Sequence, residues 1–136
     1  MGGNRLVDTG FLVALLSRRD SNHSWSVAQA SRLPPPWKTC EAVLSESFHL
    51  LGTKGMSALG ALLRRGAVAS AFDLSANTER VLELLEKYCD VPASLADICL
   101  VRMTETIADA VILTTDDDFR IYRRHGRRVV PCIMPD

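Results

Sequence analysis

Long apolar runs are missing from this chain: none of its 136 residues lies in a stretch approaching the roughly 20 that a membrane-crossing helix needs. Cysteine is scarce and scattered. Cys40, Cys89, Cys99 and Cys132 form no Cys-x-x-Cys pair and no paired histidines accompany them, which argues against a zinc cluster. A disulfide framework is not needed at this size, so the four read as buried or half-buried thiols in a reducing cytoplasm. Net charge is also absent. Sixteen Lys and Arg balance 16 Asp and Glu, which argues against a sequence-blind basic coat for nucleic acid. A zero sum still leaves room for an acidic pocket with a basic rim. Repeats and low-complexity tracts are lacking, and Pro34-Pro35-Pro36 is a loop rather than a linker. We expect no leader, because the apolar stretch Phe11 to Leu16 is short and ends in Arg18-Arg19-Asp20. We expect no lipid anchor either: Gly2 follows Met1, but Leu6 stands where a myristoylation signal wants Ser or Thr. What remains is an ordinary globular composition, 47% hydrophobic and 24% charged, expected as a single domain over residues 1–136.

Strand-like and helix-like segments alternate. Leu6-Val7 reads as a short buried strand, followed by a helix from about Thr9 to Arg18 with Phe11, Leu12, Leu15 and Leu16 on its apolar side. The turn cluster Asp20-Ser21-Asn22-His23-Ser24 caps a second helix near Trp25 to Arg32, and Trp37-Lys38-Thr39 is extended. Thr39 is placed to N-cap a third helix, Cys40 to Leu51, closed by Gly52, and Met56 to Arg65 forms a fourth. A strand at Ala71 to Leu74, a helix from Asn77 to Cys89 and a helix from Pro92 to about Ile107 follow. Ala110 to Thr114 is the clearest buried strand; a short helix through Phe119 to Arg124 and a last strand, Arg128 to Ile133, close the chain. Such alternation calls for a mostly parallel sheet with right-handed crossovers.

Acids recur where strands end and helices begin. Asp8 directly follows the first strand, at the end where ligands bind in parallel α/β folds. The bland alternative is an N-cap for the first helix. Glu41 is explained by the helix dipole, whereas Glu46 lies mid-helix and reads as surface unless something engages it. Asp97 completes a Ser-x-x-acid pattern with Ser94, so capping and ligation describe the same residue from two sides. Asp116-Asp117-Asp118 exceeds what capping requires. Two carboxylates about 4 Å apart repel by roughly 4 kcal/mol at an effective dielectric of 20, against a total stability of only about 5–15 kcal/mol. No lysine stands beside any of them, so either the acids are dispersed in space or a cation gathers them. All-oxygen donors suit Mg2+ or Mn2+ rather than zinc.

Several families share these letters. Asp8-Thr9-Gly10 is the aspartic-peptidase triplet, but a helix follows at once where that enzyme needs an all-β setting. A haloacid-dehalogenase-type phosphatase wants a second Asp where Gly10 stands, and a phospho-receiver domain wants adjacent early acids and a late lysine. The resemblance that covers most of the chain is to the PIN domain, specifically the small VapC-like ribonuclease toxins of toxin–antitoxin modules. Val7-Asp8-Thr9-Gly10-Phe11-Leu12 resembles that family's opening strand and turn, and Asp20-Ser21-Asn22-His23 its D-x-x-H loop. Cys40 to Glu46 is similar to the helix ending in the second family acid. Ser94 to Asp97 stands where the third acid lies, and Leu113 to Phe119 resembles the closing T-x-D-x-D-F segment. Ile98 replaces the usual Ala after the third acid.

The resemblance implies a three-layer α/β/α sandwich around an approximately five-stranded sheet, with catalytic acids Asp8, Glu46, Asp97 and Asp116. It implies Mg2+ or Mn2+ held by Asp8 and Asp97 with Asp116, RNA as substrate, and a cognate antitoxin as partner. Asp116 is preferred as fourth acid, with Asp118 in support. Thr9 and Thr115 are candidates to donate hydroxyl hydrogen bonds to the carboxylates, although both also suit ordinary turns. Arg120, Arg123 and Arg124, continued by Arg127 and Arg128, form a run without an intervening acid: a phosphate track, or simply a solvated face. Trp25 and Trp37 read as core packing before base stacking. Phe48, Leu51, Met56, Leu59 and Leu63 are more apolar than a helical hairpin easily buries, so a second chain, copy or antitoxin, is expected there. The alternative from another class is a PIN-like regulatory module that binds RNA or a partner protein without cutting.

Overall fold

A computed structural model describes residues 3–136; the start of the chain, where a lipid anchor is rejected, lies outside the described residues. The central sheet is parallel and five-stranded, with β1 (Arg5–Val7), β2 (Trp37–Thr39), β3 (Val68–Ser70), β4 (Val111–Leu113) and β7 (Cys132–Ile133) in the order β3-β2-β1-β4-β7. The connecting helices are α1 (Thr9–Leu16), α2 (His23–Arg32), α3 (Glu41–Arg64), α4 (Thr78–Lys87) and α5 (Leu95–Thr106). A hairpin of β5 (Arg123–Arg124) and β6 (Arg128–Val129) stands apart from the main sheet. This is the α/β sandwich expected. No helix among the described residues is long and apolar enough to cross a membrane.

From β1 the chain builds outward through β2 and β3, then returns to add β4 and β7 on β1's other side. The sheet therefore has its topological switch between β1 and β4, where Val7 pairs with Leu113 and Leu6 with Ile112. Chains leave the two strands toward opposite sides and open a crevice at their carboxyl ends. Asp8 and the Asp116 turn emerge there.

One hydrophobic core holds the layers together. Leu6, Val7, Ile112 and Leu113 from the sheet, Phe11 and Leu12 from α1, and Ile98, Leu100 and Met103 from α5 are all fully buried. Each such side chain contributes about 1.5–3 kcal/mol relative to exposure. Phe11 is held edge-on between Trp37 and Trp25, with ring centroids 5.5 and 6.3 Å away, so both tryptophans pack as core.

Four local expectations are corrected. The third strand is Val68–Ser70, not Ala71 to Leu74, because Trp37–Thr39 takes its partners directly after the turn at Gly66, and Asp73 caps a 3-10 turn instead. Cys40, not Thr39, is the N-cap of α3; the Thr39 hydroxyl donates to the Val7 carbonyl at 2.7 Å. Arg123 and Arg124 lie on a hairpin strand rather than a helix, since His125 and Gly126 take consecutive positive φ angles of 51° and 83°. The expected last strand is divided: Arg128–Val129 pairs with the hairpin, and only Cys132–Ile133 joins the main sheet. The boundary expected at Gly52 holds, where φ of 67° and ψ of −164° interrupt α3. Of the thiols, Cys40 and Cys99 are buried, Cys132 is half-buried and Cys89 is exposed.

Candidate active site

Asp8 is delivered by the sheet and engaged on both oxygens. Its Oδ1 accepts the Phe11 N–H at 2.8 Å, capping α1, and its Oδ2 accepts the Thr114 hydroxyl. The capping alternative is thus fulfilled, yet each carboxylate oxygen retains a further lone pair. Only 4% of Asp8 is exposed. Burial raises its pKa to about 7; the hydrogen bonds from Thr114 and Phe11 oppose the rise, and the charges of Asp97 and Asp116 add to it.

Asp97 comes from the first turn of α5. Its N–H donates to Ser94 Oγ at 3.0 Å, so the Ser94 cap is formed as expected. Its Oδ2 accepts the Tyr122 hydroxyl at 3.1 Å. Burial, followed by the charge of Asp116, lifts the Asp97 pKa to about 6, with a smaller contribution from Glu46. Asp97 thus feels Asp116 and Glu46, and Asp8 feels Asp97 and Asp116. The four acids expected from the sequence share one electrostatic neighbourhood.

The remaining members are set by local turns. Asp116 N–H donates to Thr114 Oγ1 at 2.8 Å, and Asp116 Oδ1 accepts the Asp118 N–H at 2.9 Å. The turn after β4 is therefore pinned to the same threonine that reaches Asp8. Asp118 has its pKa raised by burial and then by Asp116 and Asp117. Thr9 donates to Glu46 Oε1 at 3.0 Å, which ties an exposed glutamate on α3 to the start of α1. The hydroxyl that reaches Asp8 is Thr114's, while Thr115 Oγ1 faces Gly10, where an added Cβ would overlap it. The D-x-x-H loop acts structurally: Asp20 Oδ1 accepts the Asn22 N–H at 2.8 Å, and His23 Nδ1 meets the Ala14 carbonyl at 2.8 Å.

Two residues escaped the sequence reading. Thr114 lay inside the quoted T-x-D segment, but nothing in one dimension distinguishes its side-chain direction from that of Thr115. Tyr122 lay beyond the acids with no signal of its own, and only the fold brings it to Asp97, 25 residues earlier. Burial, then the nearby acids, pushes its phenol well above the ordinary tyrosine value, so the hydroxyl remains a donor.

Of the expected basic rim, Arg120 is exposed and close enough for its charge, like that of Asp8, to act on the Cys132 thiol. Arg123 Nη1 is occupied by the carbonyls of Arg120 and Tyr122 at 2.7 and 2.9 Å. Arg124 Nη1 donates to the Thr104 carbonyl at 3.1 Å.

A hard divalent cation fits this donor set in charge and chemistry. The ion pairs among the described residues join Arg80 and Arg102 to Glu83 and Glu105, and none involves the four acids. Their repulsion is therefore opposed by hydrogen bonds but not offset by an ion pair among the described residues. No group of three or more Asp, Glu, His or Cys side chains among the described residues forms a ready-made ligand cage.

A comparison with curated proteins finds no match. Among solved structures, the crystal structure of Mycobacterium tuberculosis VapC20, a sarcin–ricin loop cleaving toxin, is similar with a TM-score of 0.72. The two are 23% identical, and the match covers 85% of this chain and 92% of that one, a likeness of fold. The family model of the PIN domain matches residues 5–124, a span that begins with β1 and ends with β5 and so takes in every acid described above. With the acids gathered at the switch point of its parallel sheet, this chain belongs to the PIN domain family.

Proposed function

We propose that this protein is a Mg2+- or Mn2+-dependent endoribonuclease, acting in the cytoplasm as a toxin that a cognate antitoxin neutralises. The observation that carries the reading is the pairing of buried Asp8 with half-buried Asp97. They are brought together from two elements, raised to about 7 and 6, and left without a basic partner among the described residues. Assembling such a pair costs stability, and a divalent cation is what returns it.

In this reading Asp8, Asp97 and Asp116 hold the ion, directly or through its waters. A bound Mg2+ or Mn2+ supplies a water of lowered pKa and offsets charge on the phosphate during in-line displacement. Thr114 keeps Asp8 oriented and Thr9 keeps Glu46 oriented, so that Glu46 can take the proton of the attacking water. Asp118 supports the Asp116 turn. Arg120 is the first candidate to bind substrate phosphate, because it is exposed and its charge, like that of Asp8, reaches the Cys132 thiol. Arg123 and Arg124 spend donors on backbone carbonyls, so their share in RNA binding rests on their remaining N–H groups.

VapC20 is a toxin that cleaves the sarcin–ricin loop. A transcript carrying that hairpin therefore belongs among the RNAs to be tried here. The experiment compares wild type with Asp97→Asn for RNA cleavage and for melting with and without Mn2+. We expect metal-dependent cleavage by wild type, stopped by chelation and abolished in Asp97→Asn. Mn2+ should raise the melting temperature of wild type alone. Metal-stabilised protein that cuts no RNA would favour the non-cleaving regulatory module. Melting indifferent to Mn2+, with equal cleavage by both proteins, would remove the metal site.

A further inference from the structure

Tyr122 is fully buried in an aromatic cluster that leaves its hydroxyl little freedom. Its ring meets Tyr88 at 5.2 Å and 72°, and Phe119 at 5.3 Å and 86°, both edge-on. Tyr88 in turn accepts the Arg123 N–H at 2.8 Å, which fixes the peptide directly after Tyr122. A second anchor lies just beyond. Glu105 of α5 holds Arg80 of α4 through two hydrogen bonds of 2.9 and 2.7 Å, and it also accepts the His125 N–H at 2.7 Å. The segment directly after Tyr122 is thus fastened to the end of α4 through Tyr88 and, through Glu105, to α5, the helix that presents Asp97.

A phenylalanine would fill the same cavity. The hydroxyl is the part that packing does not require, and a buried hydroxyl needs a partner. Its partner is Asp97 Oδ2, 3.1 Å away. No other side-chain donor reaches Asp97 among the described residues, and no basic side chain pairs with it. We propose that Tyr122 is a positioning residue: its phenol fixes the rotation of the Asp97 carboxylate by holding Oδ2, and so presets Asp97 for a divalent cation. The inference rests on the metal-nuclease reading above and extends it to a residue outside the four acids. Hydroxyl donors that orient a ligating carboxylate typically govern metal affinity by about 10–100-fold.

The test measures Mn2+ binding to metal-free protein by electron paramagnetic resonance of the free ion, for wild type, Tyr122→Phe and Tyr88→Phe. Tyr122→Phe should weaken Mn2+ binding about 10-fold while KM for RNA is unchanged, and saturating Mn2+ should restore most of kcat. Tyr88→Phe removes the Arg123 anchor but leaves the Tyr122 hydroxyl on Asp97, and should weaken Mn2+ binding clearly less than Tyr122→Phe. Equal Mn2+ affinity of Tyr122→Phe and wild type would overturn the inference alone, as would equal losses in both tyrosine variants. Wild type that takes up no Mn2+ would overturn the metal reading and the inference with it. If Tyr122→Phe does not fold, 3-fluorotyrosine at position 122 keeps shape and hydroxyl. Its 19F resonance should then shift with Mg2+, and a resonance indifferent to Mg2+ in protein that binds the ion would overturn the proposal.

Discussion

Asp8 sets the pH dependence of the metal-free protein. Its pKa is about 7 in the fold, against about 3.9 in an unfolded chain. Below about pH 4 both states carry the proton and there is no penalty. Between about 4 and 7 the unfolded chain ionises while the folded one resists, so stability falls as pH rises, and above 7 the loss is complete. At about 1.4 kcal/mol per unit, and titrating jointly with Asp97, the loss is on the order of 2–4 kcal/mol. Asp97, raised to about 6, contributes in the lower part of that window. Melting of metal-free protein from pH 5 to 8 should show this decline. Asp8→Asn should flatten it, and Mn2+ should oppose it most at pH 8. A melting temperature that rises over this range would contradict the raised pKa. Thr114 offers a second test, because its one hydroxyl donates to Asp8 and accepts from Asp116 N–H. Thr114→Val should cost about 2–3 kcal/mol and most of the cleavage activity, since two buried polar groups lose a partner. Thr114→Ser, which keeps the hydroxyl, should recover both, and recovery of neither would show that the hydroxyl alone does not account for the loss.

At the scale of elements, α3 is two helical arms with different duties joined at Gly52. One arm carries Glu46 to the site, and the other carries the apolar surface around Met56. The φ of 67° and ψ of −164° at Gly52 belong to a region that essentially only glycine enters. Gly52→Ala should destabilise by about 1–3 kcal/mol although its added methyl group meets nothing within 4 Å. Denaturant unfolding measures this, and an unchanged midpoint would mean that the kink relaxes freely. Glu105 does comparable work among α4, α5 and the hairpin. Burial alone would raise its pKa, but hydrogen bonds from Arg80, the His125 N–H and Arg102 outweigh it and hold the carboxyl at about 2. Its side chain is 2% exposed, so Glu105→Gln leaves two arginines short of a counter-charge and should cost about 3 kcal/mol. Because its folded pKa is depressed, its contribution is present above about pH 4 and is lost only as pH falls toward 2. It therefore leaves the window governed by Asp8 undisturbed.

For the whole molecule, the open question is what meets the outer face of α1 and α3. Of the five apolar residues expected to seek a partner, Leu59 is fully buried, Phe48, Leu51 and Leu63 are half-buried, and Met56 is 53% exposed, joined by Leu50 at 63%. A groove of about 350 Å³ lies between the two helices, with Val13, Leu16 and Leu51 in its lining and Arg18, Arg19 and Lys54 among its basic groups. The partner surface is thus narrower than the sequence implied, because the core claims part of it. We expect self-association through Leu50 and Met56, seen by light scattering as a dimer that grows with concentration and is weakened by Leu50→Glu with Met56→Glu. A strict monomer at high concentration would set the second copy aside.

The sequence by itself determined the main alternation of strands and helices, the break at Gly52, the Ser94 cap and the placing of acids at strand ends, because each is a local rule. Alternating apolar segments, a positive-φ glycine, a Ser-x-x-Asp cap and carboxylates at strand ends are all written within a few residues. It misplaced the third strand, merged the hairpin with the last strand, and chose Thr115 over Thr114, because pairing register and side-chain direction depend on neighbours distant in the chain. Tertiary structure alone decided that Thr114 joins Asp8 to the Asp116 turn and that Tyr122 reaches back to Asp97. It also decided that Arg124 reaches the Thr104 carbonyl of α5. The physical reason is common to all three. A buried donor or acceptor must be satisfied by whatever the fold brings near, and a one-dimensional pattern carries no record of that proximity.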